Sequence, residues 1–209
     1  MIFDTTMLDW KTNESYKERN LYYKIFGGYL FNELIEGYEN RKKAFLNMLE
    51  ENINKSERFF GEAPKANTII KEIQEAPLHV TFDYHPAQIF IEYKRNNRGE
   101  MSDILLHSGQ HIISIECKFL SNIGFKKDIE AVHERIIKFS EHFKILPLQV
   151  LLLKEKKWNS TKLIKEELKK SLRVPVVVLF WEDLRSLISN YKVLQYLNVQ
   201  IDRKSSMVL

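Results

Sequence analysis

The sequence predicts an α/β domain: a mixed β-sheet of about five strands flanked by helices, with a helical N-terminal segment. Three observations predict it. Apolar residues recur at helical spacing through the first sixty positions, short β-rich runs broken by turn residues follow, and helical and strand patterns then alternate to the end of the chain.

Residues from about Asn13 to Phe60 read as helical throughout, because Leu30, Phe31, Leu34, Ile35, Phe45, Met48 and Leu49 fall on one stripe, with Gly27-Gly28 as the interruption. A short helix around Asn67 to Gln74 ends near Pro77, since the residue before a proline avoids helical dihedrals. Three strands are expected next: Gln88 to Lys94, Met101 to Leu106 and His111 to Phe119. Their separators, Asn96-Asn97-Arg98-Gly99 and Ser108-Gly109, are turn formers. A helix from about Lys126 to Phe143 follows, then a strand Leu148 to Leu153 and a basic helix from about Ser160 to Leu172. The strand Val174 to Phe180 and a helix from Trp181 onward close the pattern. No repeat, low-complexity tract or linker composition divides the chain, so one domain over residues 1–209 is expected, its first 60 residues helical and 156–209 a C-terminal βα extension.

Composition narrows the class. Hydrophobic residues are 44% and charged ones 29%, with seven Gly and five Pro, the profile of an ordered water-soluble chain. The longest apolar run, Val174 to Trp181, is far shorter than the roughly 20 residues a membrane span needs. The N-terminal residues lack the basic and apolar pattern of a secretory leader, and the single cysteine, Cys117, builds no disulfide framework, so a cytoplasmic location is expected. The six histidines show no zinc-ligand spacing, and neither a Gly-x-Gly-x-x-Gly nor a Walker lysine loop occurs. The net charge of +4 is mild, but Lys154 to Arg173 holds eight basic residues against three acids, enough to follow a phosphate backbone or simply to form a solvated helix face.

The chemistry concentrates between Ser102 and Lys118. The strand ending Ile115-Glu116-Cys117-Lys118 is otherwise apolar, and alternation sets Glu116 and Lys118 on one face while Ile113, Ile115 and Cys117 line the other. With a two-residue Ser108-Gly109 turn, or a four-residue loop from His107 to Gln110, Asp103 stands opposite Ser114 on that same face; a three-residue loop reverses the parity. Two neighbouring carboxylates repel, and a hard cation such as Mg²⁺ relieves the repulsion. Such an ion lowers the pKa of a bound water and neutralises charge on a phosphate, with a lysine stabilising the same charge. The same Glu-x-Lys pattern occurs at Glu92-Tyr93-Lys94, where Asp83 precedes it, and a purely structural role as ion-paired residues is the plain alternative to either set.

Taken together, the Asp103 hairpin, the Glu116-Cys117-Lys118 strand and the helix after it resemble the PD-(D/E)XK, or restriction-endonuclease-like, nuclease superfamily. The likeness covers roughly Gly28 to Leu153, with Ser102 where that pattern has proline. It implies a catalytic core over residues 85–155, Asp103 and Glu116 as ligands of Mg²⁺ (Mn²⁺ as substitute), the Cys117 backbone carbonyl as a third ligand and Lys118 as catalytic. Members that add a glutamate from the first core helix suggest Glu33 or Glu36. The implied activity is metal-dependent endonucleolytic hydrolysis of DNA, with RNA as a second substrate class, in restriction, defence or repair; the partner is nucleic acid, and a homodimer or larger complex fits cutting of both strands. Lys126, Lys127, Gln149, Lys156 and Lys157 are the candidate nucleic-acid contacts, and the tryptophans Trp10, Trp158 and Trp181 are candidates for base stacking. The rival from another class is a non-catalytic nucleic-acid-binding or assembly subunit with the same fold.

Overall fold

The computed structural model describes residues 19–84, 102–118, 125–154 and 173–202. In chain order these form α1 (Tyr23–Leu30, wound as a π-helix), α2 (Tyr38–Ile53), β1 (Phe59–Phe60), α3 (Ala63–Glu75), β2 (His79–Tyr84) and β3 (Ser102–Ser108). There follow β4 (His111–Lys118), α4 (Phe125–Phe143), β5 (Leu146–Leu153), β6 (Val176–Phe180), the 3₁₀ segment α5 (Trp181–Leu187) and α6 (Tyr191–Asp202). The strands make one open mixed sheet in the order β1-β6-β5-β4-β3-β2. The β4–β5 and β5–β6 pairs are parallel, and the other three are antiparallel. Parallel strands covered on both faces need apolar residues at every position, which explains the near-continuous runs Leu-Pro-Leu-Gln-Val-Leu-Leu-Leu of β5 and Val-Val-Val-Leu-Phe of β6.

Strand alternation divides the core cleanly. Ile104, Leu106, Ile113, Ile115, Cys117, Leu148, Val150, Leu152, Val177 and Leu179 face a helical layer built from α1, α2, α3, α5 and α6. On the other face, Leu105 and Ile112 pack with Ile136, Ile137 and Phe139 of α4, while Leu151, Leu153, Val176, Val178 and Phe180 cluster with Phe60. Helix α3 shows why its sequence folds as it does: Pro64 opens it, Ala66, Ile69, Ile70 and Ile73 bury one stripe, and Ala76 ends it in extended backbone before Pro77. Each fully buried isoleucine there contributes roughly 1.5–3 kcal/mol. At the edge, Gly61 (φ +130°) lets β1 approach the chain entering β6 so closely that a Cβ would lie 2.8 Å from Pro175 Cα. Among the described residues no helix is long and apolar enough to cross a membrane.

Several expected elements move. The sheet has six strands rather than about five, and the helical stretch to Phe60 is interrupted later than expected, with Gly27-Gly28 inside α1. The break falls at residues 31–37, where the buried Arg41 guanidinium gathers the carbonyls of Tyr29 (3.0 Å), Asn32 (3.0 Å), Ile35 (2.9 Å) and Glu36, and the Asn32 side chain accepts the Leu34 N–H at 3.0 Å. Apolar spacing alone does not reveal such a tie. Phe59–Phe60, read as helix, is instead a strand paired with Val177 and Val176, and β2 precedes the expected Gln88 to Lys94 strand, which lies outside the described residues together with the basic Ser160 to Leu172 segment. Beyond Trp181 the backbone is first 3₁₀ and only from Tyr191 α-helical, because the Asp183 carboxylate takes the Phe180 N–H (2.8 Å) and the Arg58 guanidinium (2.6 Å) and fastens that junction to the β1 approach.

Candidate functional site

The β3–β4 hairpin decides where the two carboxylates stand. Its turn residues are Gly109 and Gln110, not Ser108-Gly109; Gly109 takes φ +55°, as the first central position of a two-residue hairpin turn of this hand requires. The register runs from Ser108↔His111 to Ile104↔Ile115. Carried one residue further, it sets Asp103 level with Glu116 rather than with Ser114. The shift is two residues, so the parity survives and both carboxylates belong to the sheet face that α4 covers. At this level the Asp103 carboxylate replaces a backbone partner, with its Oδ2 accepting the Cys117 N–H at 2.7 Å. Ser102 beside it donates its hydroxyl to the carbonyls of Ile104 (2.6 Å) and Ile115 (3.2 Å), which holds the strand end against β4. Asp103 is half-buried and Glu116 is only 7% exposed. Two carboxylates thus stand at one level of the hairpin, one of them anchored by a backbone N–H.

Of the other candidates, Glu33, Glu36 and Trp181 stand apart from this pair. Lys118 closes β4, its backbone paired with Leu153, and its side chain lies outside the described part of the structure, as do those of Lys126 and Lys127 near the start of α4. Lys156, Lys157, Trp10, Trp158, Glu92 and Lys94 lie outside it altogether. Glu33 and Glu36 are exposed in the loop between α1 and α2, on the helical layer behind the opposite sheet face. Among the described residues no three of His, Cys, Asp and Glu gather as a metal-binding group, so neither glutamate joins Asp103 and Glu116. Trp181 is wholly buried against Phe26, which removes it as a stacking surface. Gln149 is wholly buried too, so it does not present itself to a phosphate backbone.

Two arrangements escaped the sequence reading. The first is a polar strip under α4: Gln149 Oε1 lies 2.7 Å from His133 Nδ1, and Gln149 is the cross-strand partner of Ser114, two residues before Glu116. Ser114, His133 and Gln149 are all wholly buried, and Ser114 Oγ and Gln149 Nε2 have no hydrogen-bond partner among the described residues. Each unmatched buried group costs about 1–3 kcal/mol. Gln149 within an apolar strand, and His133 on the same stripe as Ile136 and Ile137, were the legible signals. The second is a knot around Asp83, whose left-handed φ of +47° is rare for a residue with a Cβ. Its carboxylate accepts the hydroxyls of Tyr22 and Tyr23 (2.8 Å) and pairs with Arg19 (3.2 Å). Burial pushes the Tyr22 phenol far above its ordinary value, and the hydrogen bond to Asp83 and the negative charge of Asp103 add to the rise. The Asp83 carboxylate is therefore bound up in structure at the end of β2, one strand away from the Asp103–Glu116 pair.

The far end of the same hairpin carries a titratable pair. His107 stacks on its cross-strand partner His79 with ring centroids 5.2 Å apart. Burial lowers the His107 pKa below 6.5, and His79 lowers it further. The unfolded chain then binds the proton more readily than the folded one, so this contribution to stability is complete above about pH 6.5 and is lost as the pH falls through the folded value. Urea midpoints measured from pH 7.5 to 5 are expected to fall less steeply for His107→Gln than for the wild type. An identical slope in both proteins would remove His107 as a source of acid sensitivity.

Comparison of the chain with protein-family models, with curated proteins and with solved structures finds no match. Asp103 and Glu116 stand at one level of the hairpin, the first partly exposed and the second buried, with the Cys117 N–H bonded to the Asp103 carboxylate.

Proposed function

We propose that this chain is a Mg²⁺-dependent endonuclease of the PD-(D/E)XK, restriction-endonuclease-like kind, hydrolysing phosphodiester bonds in DNA, with RNA as a second substrate class and Mn²⁺ as a substitute ion. The single observation that carries the reading is the level placement of Asp103 and Glu116 on antiparallel strands, tied together by the Cys117 N–H to Asp103 Oδ2 bond of 2.7 Å. The six-stranded mixed sheet with helices on both faces supports the general α/β class alone. In this reading Asp103, Glu116 and the Cys117 carbonyl hold the ion. Bound there, the ion supplies an acidified water and neutralises phosphate charge. Lys118, two residues along β4 from Glu116, supplies a positive charge for the attacked phosphate.

The purified protein incubated with plasmid, single-stranded DNA and RNA, once with Mg²⁺ and once with EDTA, tests the proposal. Cleavage of at least one substrate with Mg²⁺ and none with EDTA is expected; intact substrates with both Mg²⁺ and Mn²⁺ would overturn it. One observation favours a second reading, a non-catalytic nucleic-acid-binding or assembly subunit: no third acidic ligand joins the pair among the described residues. Calorimetric titration with Mn²⁺ separates the two, because a binding module has no use for an ion at Asp103 and Glu116.

A further inference from the structure

We infer that Ser114, Gln149 and His133 form a positioning relay behind Glu116, holding one ordered water that braces the Glu116 carboxylate from inside the fold. The inference rests on the reading of Glu116 as an ion-holding residue for its purpose, and on geometry alone for its existence. Around the strip, the α4-facing side of β3, β4 and β5 carries the buried apolar side chains Leu105, Ile112 and Leu151. Three wholly buried polar side chains in that setting require partners.

The His133 contact orients the strip. An amide oxygen only accepts, so His133 Nδ1 carries the hydrogen in the 2.7 Å bond to Gln149 Oε1, and the Gln149 NH₂ group is turned away from His133. Gln149 Nε2 and the Ser114 hydroxyl, on paired positions of β5 and β4, are then two polar groups with no partner among the described residues. Ser114 shares a face with Glu116 by strand alternation. One water accepting from the Gln149 N–H and the Ser114 O–H has both of its own hydrogens left to donate, and the carboxylate of Glu116 is the acceptor next along the strip. A long, rotamer-rich glutamate is thereby kept in one position, which is the service outer-shell groups give to ligands of a metal ion.

The test has a metal-free arm and a metal arm. In protein with ¹⁵N-labelled glutamine side chains, the Gln149 NH₂ resonances are expected to show cross-relaxation with a long-lived water and to move on Glu116→Gln, while those of the remote Gln200 stay in place. In calorimetry with Mn²⁺, Gln149→Leu, Ser114→Ala and His133→Leu are each expected to weaken binding by about 10- to 100-fold. His133→Asn, which restores an N–H at the Nδ1 position, is expected to recover most of the loss. Melting temperatures of the leucine variants at or near the wild-type value separate positioning from unfolding, and where Gln149→Leu melts early the double variant His133→Leu/Gln149→Leu replaces it. Gln149 resonances that ignore Glu116→Gln, or folded variants that bind Mn²⁺ as the wild type does, overturn the relay. Resonances that respond in a wild-type protein with no affinity for Mn²⁺ leave the water-bridged link standing and sink the metal reading instead.

Discussion

Glu116→Gln is expected to lower the proposed Mg²⁺-dependent cleavage by at least about 10³-fold, since an ion's stabilisation of the transition state is worth several kcal/mol and each 1.36 kcal/mol is tenfold in rate. Asp103→Asn is expected to do the same for a second reason. Its amide oxygen can keep the Cys117 N–H bond of 2.7 Å, but the NH₂ then replaces the other carboxylate oxygen and cannot ligate a cation. Lys118→Ala is expected to fall in the same direction with ion binding retained. Single-turnover cleavage and Mn²⁺ calorimetry on the three variants check this. Wild-type cleavage by Glu116→Gln would remove this carboxylate from the chemistry, whatever nucleolytic activity the protein has.

The second large effect concerns stability. Arg41→Ala is expected to destabilise the fold by about 3 kcal/mol, because a buried, charged donor set serving four carbonyls is lost at once, together with its stacking over the Tyr29 ring at 5.0 Å. The carbonyls of the exposed loop regain water, which keeps the cost well below four separate charged bonds. Arg41→Lys is expected to recover little, since an ammonium has three donors and no planar fork. Urea unfolding measures both, and a midpoint unchanged in Arg41→Ala would show that residues 31–37 keep their course without it.

The regular parts of this architecture were legible because their causes are local. Alternation and turn residues marked β3 and β4 to within a residue or two, and the apolar runs marked β5 and β6, since a strand buried on both faces advertises itself in composition. The break after α1 was not legible, because its cause is a guanidinium arriving from Arg41 in α2, which collects carbonyls five to twelve residues before it. Strand β2 was missed because His79 to Tyr84 gains its strand character from pairing with β3, a partner distant in sequence. In the candidate site, side-chain parity was readable but the register was not: a turn at Gly109-Gln110 instead of Ser108-Gly109 replaces Ser114 by Glu116 opposite Asp103 while keeping the faces intact. Partnerships such as His133 with Gln149, or Tyr22 and Tyr23 with Asp83, arise only when separate elements meet.

The lone thiol of Cys117, 1% exposed in the helical-layer core while its own amide is bonded to Asp103, couples reagent access to the integrity of the carboxylate pair. A thiol-specific dye reaches it only when β4 lets go of its neighbours. The chain thus carries an intrinsic gauge, in which the labelling rate reads how often the hairpin opens and any ion seated across Asp103 and Glu116 registers as slower modification.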